Sequence, residues 1–360
     1  MRWLLVILVV AAAGCTFDRY AQLETATPSL SEAQLAELRR RTQSPEALGV
    51  EVVRQGNMVG LRGVNELVAT GTVTAALLPV MTDKPYEPGG RFRAPVVLAR
   101  VNERGEVRLM LDSGSNQSLC GYTLAQRLKL PVMAGMEPAT GGGIGGTVDH
   151  VPGLVESLKI GGVELRRLVT MISPDVQVLR VQQLFGSAPV WLLGVNALRG
   201  LSYLTVDNLR GTVTFGVGEP YRPDASSSFV THVPLSWRNN LPCVPMSVDD
   251  HGPFPCVVDT GGDYGLLISR NQATALKYWQ MGKGNATPTH GVAGAGLTAT
   301  YAVKRATLGG ATLTQVPGRT IVVGPEPGFA EMLVGNVVLR RYRVTFDFKG
   351  QQFWLELPGR

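Results

Sequence analysis

The 360-residue chain is poor in the groups that usually announce a chemistry. Its four histidines, His150, His232, His251 and His290, are scattered without metal-ligand spacing, and solvated loop positions are expected for them. There is no Cys-x-x-Cys, no G-x-S-x-G nucleophile elbow and no P-loop. These absences leave no metal and no cofactor to expect. A net charge of +6, without a block of Lys and Arg interleaved with aromatics, argues against nucleic-acid binding. Charged residues make up 17% against 44% hydrophobic, which excludes a disordered chain. The apolar run from Trp3 to Ala13 is too short to span a bilayer.

What is abundant instead is glycine (43) and proline (23), which suit a turn-rich β protein. The start, "MRWLLVILVVAAAGC", has a basic residue, an apolar stretch and small residues before Cys15, the layout of a signal peptide over residues 1–14. "AAGC" resembles a bacterial lipobox, which implies lipidation of Cys15 and membrane attachment through that lipid. Thr16 stands where Asp would retain a lipoprotein at the inner membrane. The expected location is therefore the outer membrane, facing the periplasm. Residues 15–85 read as a tether with a small appendage: "SLSEAQLAELRRRTQ" has a Ser cap and helical spacing, and "ATGTVTAALLPVM" suits a strand. A prosegment role for them stays open. Cys120, Cys243 and Cys256 are an odd three. Either Cys243 and Cys256, on two arms of one expected hairpin, are bonded, or all three are buried thiols.

The body of the chain repeats itself. "VLARVNERGEVRLMLDSG" lies against "VPMSVDDHGPFPCVVDTG", each with a glycine seven residues before its acid, the pattern of a hairpin whose second strand ends in an Asp-bearing loop. Short helices at "YTLAQRLKL" and "RNQATALKY" follow, then Gly-Gly hairpins at Gly161 and Gly309. Apolar pairs with Gly194 and Gly335, ahead of a turn of helix and a strand, close each copy. The expected units are 86–218 and 229–360, joined by a polar linker at 219–228. With 12 Asp, 43 Ser or Thr and 43 Gly, an Asp-Ser/Thr-Gly triplet should occur about 0.2 times by chance, so two in register are informative.

Asp112-Ser113-Gly114 and Asp259-Thr260-Gly261, each followed by an apolar pair and glycine, resemble the aspartic proteases of the retropepsin and pepsin clan. The likeness covers most of residues 86–358, in a form with two retropepsin-like lobes fused. It implies an all-β, bilobal fold with a cleft, in which Asp112 and Asp259 share one water and one proton and hydrolyse peptide bonds of a peptide or protein substrate. A monomer would suffice. The same resemblance gives Ser113 and Thr260 a cross-lobe bond, and has Gly194 and Gly335 pass strands behind the catalytic loops. Ser115 is expected to bond Asp112 where Gly262 cannot bond Asp259, making Asp112 the more ionised acid.

"GGGIGG" matches G-x-G-x-x-G, but the β-like stretch behind it does not suit a dinucleotide site. Gly143, Ile144, Gly145 and Gly146 fit a retropepsin flap instead, with Gly294 in the corresponding place of the second copy. The rival reading is a lipoprotein that keeps this fold only to bind a peptide or an envelope partner.

Overall fold

The hairpins read from the sequence form in the computed structural model, which describes residues 29–55, 58–69, 71–78, 94–135, 139–143, 146–175, 190–279, 286–291, 294–323, 331–357 and 359. Residues 1–14, expected as a signal peptide, and Cys15, Ile144 and Gly145 lie outside the described residues. In the first half Val96–Val101 turns through Asn102 and Glu103, both at positive φ, into Gly105–Leu111. In the second half Leu241–Val248 turns through Asp249 and Asp250, again at positive φ, into His251–Val258.

Each of these second strands ends at an acid and is central in its sheet. Gly105–Leu111 also pairs in parallel with Val190–Leu193, and His251–Val258 with Met332–Val334. A strand covered on both faces needs apolar side chains at consecutive positions, which explains "LML" and "CVV" just before the acids. Leu109, Leu111, Val257 and Val258 are fully buried, and Met110 almost so.

Among the described residues the fold is all-β and bilobal. A 10-stranded sheet belongs to the first half, an 8-stranded sheet to the second, and a 6-stranded sheet joins them. Within the joining sheet Tyr203–Asp207 runs antiparallel to Arg343–Asp347. Thr205 faces Thr345 across that seam, their buried hydroxyls 2.8 Å apart. The stretch expected as a linker is fastened to this sheet. The fully buried Glu356 accepts from the Tyr221 hydroxyl, from the Asp224 amide at 3.0 Å and from the Ser227 hydroxyl at 3.0 Å.

Residues before 86 are more than an appendage. Ser31 caps the helix Glu32–Arg39 in a reciprocal box with Gln34, and Leu38 on that helix is buried. Glu66–Ala69 then pairs with Val163–Ser173 in the first-lobe sheet, and Val73–Ala76 forms one edge of the joining sheet against Thr212–Gly216.

The cysteine alternatives resolve into three buried thiols. The hairpin is there, but its register sets Cys243 opposite Val257 and Val244 opposite Cys256. Neighbouring residues on a strand point to opposite faces, so this one-step offset sends the two sulfurs into different layers. Cys243 packs with Val257 and Leu333, whereas Cys256 packs with Val244 and Val258.

Candidate active site

The two Asp loops meet at the junction of the lobes, and their backbones are tied in a reciprocal pattern. The Ser113 amide donates to Thr260 Oγ1 at 3.0 Å, and the Thr260 amide donates to Ser113 Oγ at 3.0 Å. Each hydroxyl then donates deeper into the opposite lobe: Ser113 to the Val258 carbonyl at 2.6 Å, Thr260 to the Leu111 carbonyl at 2.7 Å. Both side chains are buried, so all four bonds are shielded from water. Val258 and Leu111 immediately precede the acids, and the grip therefore fixes the spacing of Asp112 and Asp259.

The two carboxyls hydrogen-bond each other. Gly114 and Gly261 make the approach possible. A Cβ on Gly114 would fall 2.4 Å from Cγ of Asp259, and one on Gly261 would fall 2.5 Å from Cγ of Asp112. Any side chain at either position would push the acids apart. Each amide also serves its own acid, Gly114 donating to Asp112 Oδ1 at 2.9 Å and Gly261 to Asp259 Oδ1 at 2.8 Å.

Gly194 and Gly335 sit directly behind these loops. A Cβ on Gly194 would meet the Gln117 carbonyl at 2.3 Å, and one on Gly335 the Tyr264 carbonyl at 2.6 Å. The residues after them brace the loops: the Val195 amide donates to the Ser115 carbonyl at 2.8 Å and the Asn336 amide to the Gly262 carbonyl at 2.8 Å. The Asn336 side chain donates in addition to the Thr260 carbonyl. Asn336 and Ser118, whose hydroxyl accepts from the Gly194 amide at 3.1 Å, carry loop support that the sequence reading missed. The pairing of Gly with Asn in "GVN" and "GNV" is the signal that was available.

One expectation is overturned. The Ser115 hydroxyl does not reach Asp112; it turns back to the Gln117 carbonyl at 2.7 Å. The hydroxyl donor to an acid is on the other side, where Tyr264 donates to Asp259 Oδ2. Burial pushes Asp112 well above the usual carboxylate range, and the charge of Asp259 pushes it further. Burial also raises Asp259, but bonds from the Tyr264 hydroxyl, the Gly261 amide and Asp112 pull against that rise. The Tyr264 bond thus favours the charge on Asp259, the reverse of the asymmetry expected from Ser115 and Gly262.

Of the residues expected as flaps, Gly143, Gly146 and Gly294 lie in comparable hairpins of the two halves. Ala139–Gly143 pairs with Gly146–Ile160, with Gly143 opposite Gly146; Ala286–Gly291 pairs with Gly294–Leu308, with Gly291 opposite Gly294. Gly141, Gly142, Gly143 and Gly146 therefore lie on paired antiparallel strands, not between a strand and a helix. His150 departs from the expected solvated position. It is buried within this hairpin, opposite Ala139, its Nδ1 sharing a 2.6 Å hydrogen bond with Ser173 Oγ. Gly141 makes room for the ring, since a Cβ there would lie 2.5 Å from Nε2. Burial lowers its pKa to about 4 against the opposing charge of Asp149. Among the described residues, no three His, Cys, Asp or Glu side chains gather so as to hold a metal ion.

Comparison with known proteins bears on the same region. Residues 97–197 match the model of the aspartyl protease family. This match supports the resemblance to the aspartic protease clan drawn from the two Asp-centred stretches. The solved structures that match include the crystal structure of an aspartic proteinase from Irpex lacteus, 12% identical, spanning 80% of this chain and 97% of that one at a TM-score of 0.46. No curated protein matches the chain.

Proposed function

We propose that the chain is an aspartic endopeptidase that hydrolyses peptide bonds through a water held between Asp112 and Asp259. The observation that carries this reading is the hydrogen-bonded pair of carboxyls, brought together by the reciprocal Ser113–Thr260 grip. Two carboxyls in contact cannot both ionise, so they share one charge and one proton at working pH. The ionised member takes a proton from the water, whose oxygen attacks the scissile carbonyl carbon while the protonated member donates to the carbonyl oxygen. Collapse of the resulting diol returns that proton and expels the amine, which takes up the other. No covalent enzyme intermediate is formed.

The two-lobed arrangement makes one chain sufficient for this site. The units proposed are 86–218 and 229–360, as copies of one ancestral half. The proposed setting is the cell envelope, with Cys15 carrying the lipid after removal of residues 1–14. The substrate is then an envelope peptide or protein, either many or one narrow target.

Cleavage of a diverse peptide library between pH 4 and 7.5, compared with Asp112→Asn and Asp259→Asn, tests the reading. Cleavage lost in both variants supports it. Cleavage equal in variants and wild type would refute the pair. Binding of peptides without cleavage at any pH would instead favour a receptor built on this fold.

A further inference from the structure

We infer that Tyr264 is a positioning residue that makes the two acids unequal, committing Asp259 to the role of base and Asp112 to that of acid. The inference deepens the protease reading and rests on it for the word "base"; the asymmetry itself stands on geometry alone.

The loops around the two acids match in their backbone amides and differ in one group. Asp112 receives the Gly114 amide and a weaker contact from the Ser115 amide, together with its bond to Asp259. Asp259 receives the equivalent Gly261 and Gly262 amides, and in addition the phenol of Tyr264 on Oδ2. At the place in the first loop corresponding to Tyr264 stands Gln117, which is exposed and whose carbonyl is occupied by Ser115. A neutral hydroxyl that donates to one carboxyl and has no counterpart at the other favours the charge on the first.

The phenol cannot easily turn away. Its ring is buried in an apolar pocket with Val257, Leu267, Ile321 and Leu333 of the second lobe, and with Val195 of the first. Gly262 and Gly335 flank the ring: a Cβ on Gly262 would lie 2.5 Å from Cε1, and one on Gly335 would lie 2.8 Å from Cδ2. A hydroxyl on so buried a ring needs a hydrogen-bond acceptor, and Asp259 Oδ2 is the one it bonds. Burial and the adjacent carboxylates push the phenol well above its ordinary value, which keeps it an O–H donor throughout any working pH. Glycine at position 262 is thus the space that admits a longer side chain to the task that a hydroxyl beside the catalytic Gly would otherwise take.

The test is the titration of the Asp carboxyls by carbon NMR on the full chain, with Asp112→Asn and Asp259→Asn assigning the two signals. In the wild type Asp259 should ionise first. Tyr264→Phe, which keeps the ring, should raise the first ionisation of the pair by roughly one pH unit, the size expected for loss of one bond to a charged group. The acid limb of the kcat/KM profile should move by the same amount. Ionisation of Asp112 before Asp259 in the wild type overturns the inference, even if Tyr264→Phe fails to fold. So does a folded Tyr264→Phe whose first ionisation is unmoved. The titration needs no turnover: a chain that cleaves no peptide removes the protease reading, and the order of ionisation still decides this one.

Discussion

The ring of Tyr264 fills the volume that a side chain at Gly262 would need, with Cε1 only 2.5 Å from where a Cβ would stand. Converting the second loop to resemble the first, by Gly262→Ser, should therefore damage the site. The new Cβ would also lie 2.7 Å from Asp259 Oδ2. We expect a loss of peptide cleavage of more than tenfold and a stability loss of about 1–3 kcal/mol from overpacking, read by rate assay and denaturant titration.

Ser113→Ala removes one acceptor and one donor from the grip. It strands the buried Thr260 amide and Val258 carbonyl, which bond the Ser113 hydroxyl at 3.0 and 2.6 Å. Each stranded group should cost about 1–3 kcal/mol. A drop in unfolding midpoint that Ser113→Thr largely restores, with cleavage falling in parallel, is the expected pattern; an unchanged midpoint would mean the grip contributes nothing.

The buried His150 predicts acid sensitivity. Its folded pKa is lowered by burial to about 4 from an ordinary 6.5. A depressed value means that its contribution to stability is complete above 6.5 and is lost as pH falls toward about 4. Thermal melts of wild type and His150→Gln should therefore differ in slope across this window and run parallel above it.

Asp112 works in the opposite sense. Its folded pKa is raised, by burial first and by Asp259 second. Its contribution is thus complete below the ordinary value of 3.8 and is lost as pH rises through the folded value. Asp112→Asn should raise Tm at pH 7 while abolishing cleavage. No gain at pH 7 would contradict the raised value.

Much of this was legible in the sequence where local rules sufficed. The hairpins ending in Asp112 and Asp259 follow from apolar runs and a turn seven residues upstream, and Gly161 and Gly309 turn at positive φ. Contacts that depend on what crosses from elsewhere were not. The glycines near residue 141 suggested a flap, yet Gly141 specifically accommodates the imidazole of His150, a fact that exists only after the strands pair. Ser115 looked like the partner of Asp112 by proximity, but a nearby carbonyl in its own loop captured it. Tyr264 was visible five residues past Asp259 without a rule to give it a role. The strand at Val73–Ala76 was marked in the sequence but not its place, and Glu66–Ala69 is too short for periodicity to mark; each gains its place from a partner strand far along the chain.

The joining sheet sets an order of events as well as a shape. Gln352–Leu357 lies between Phe229–Pro234 and Arg343–Asp347, and the latter holds the first half through Tyr203–Asp207. A chain growing from its N-terminus at ~5–20 residues per second has made Asp112 on the order of ten seconds or more before it reaches residue 357. Its partner Asp259 follows it by 147 residues. The seam between Tyr203–Asp207 and Arg343–Asp347 cannot close until its second strand has been made, so the two halves are joined edge to edge only late in synthesis.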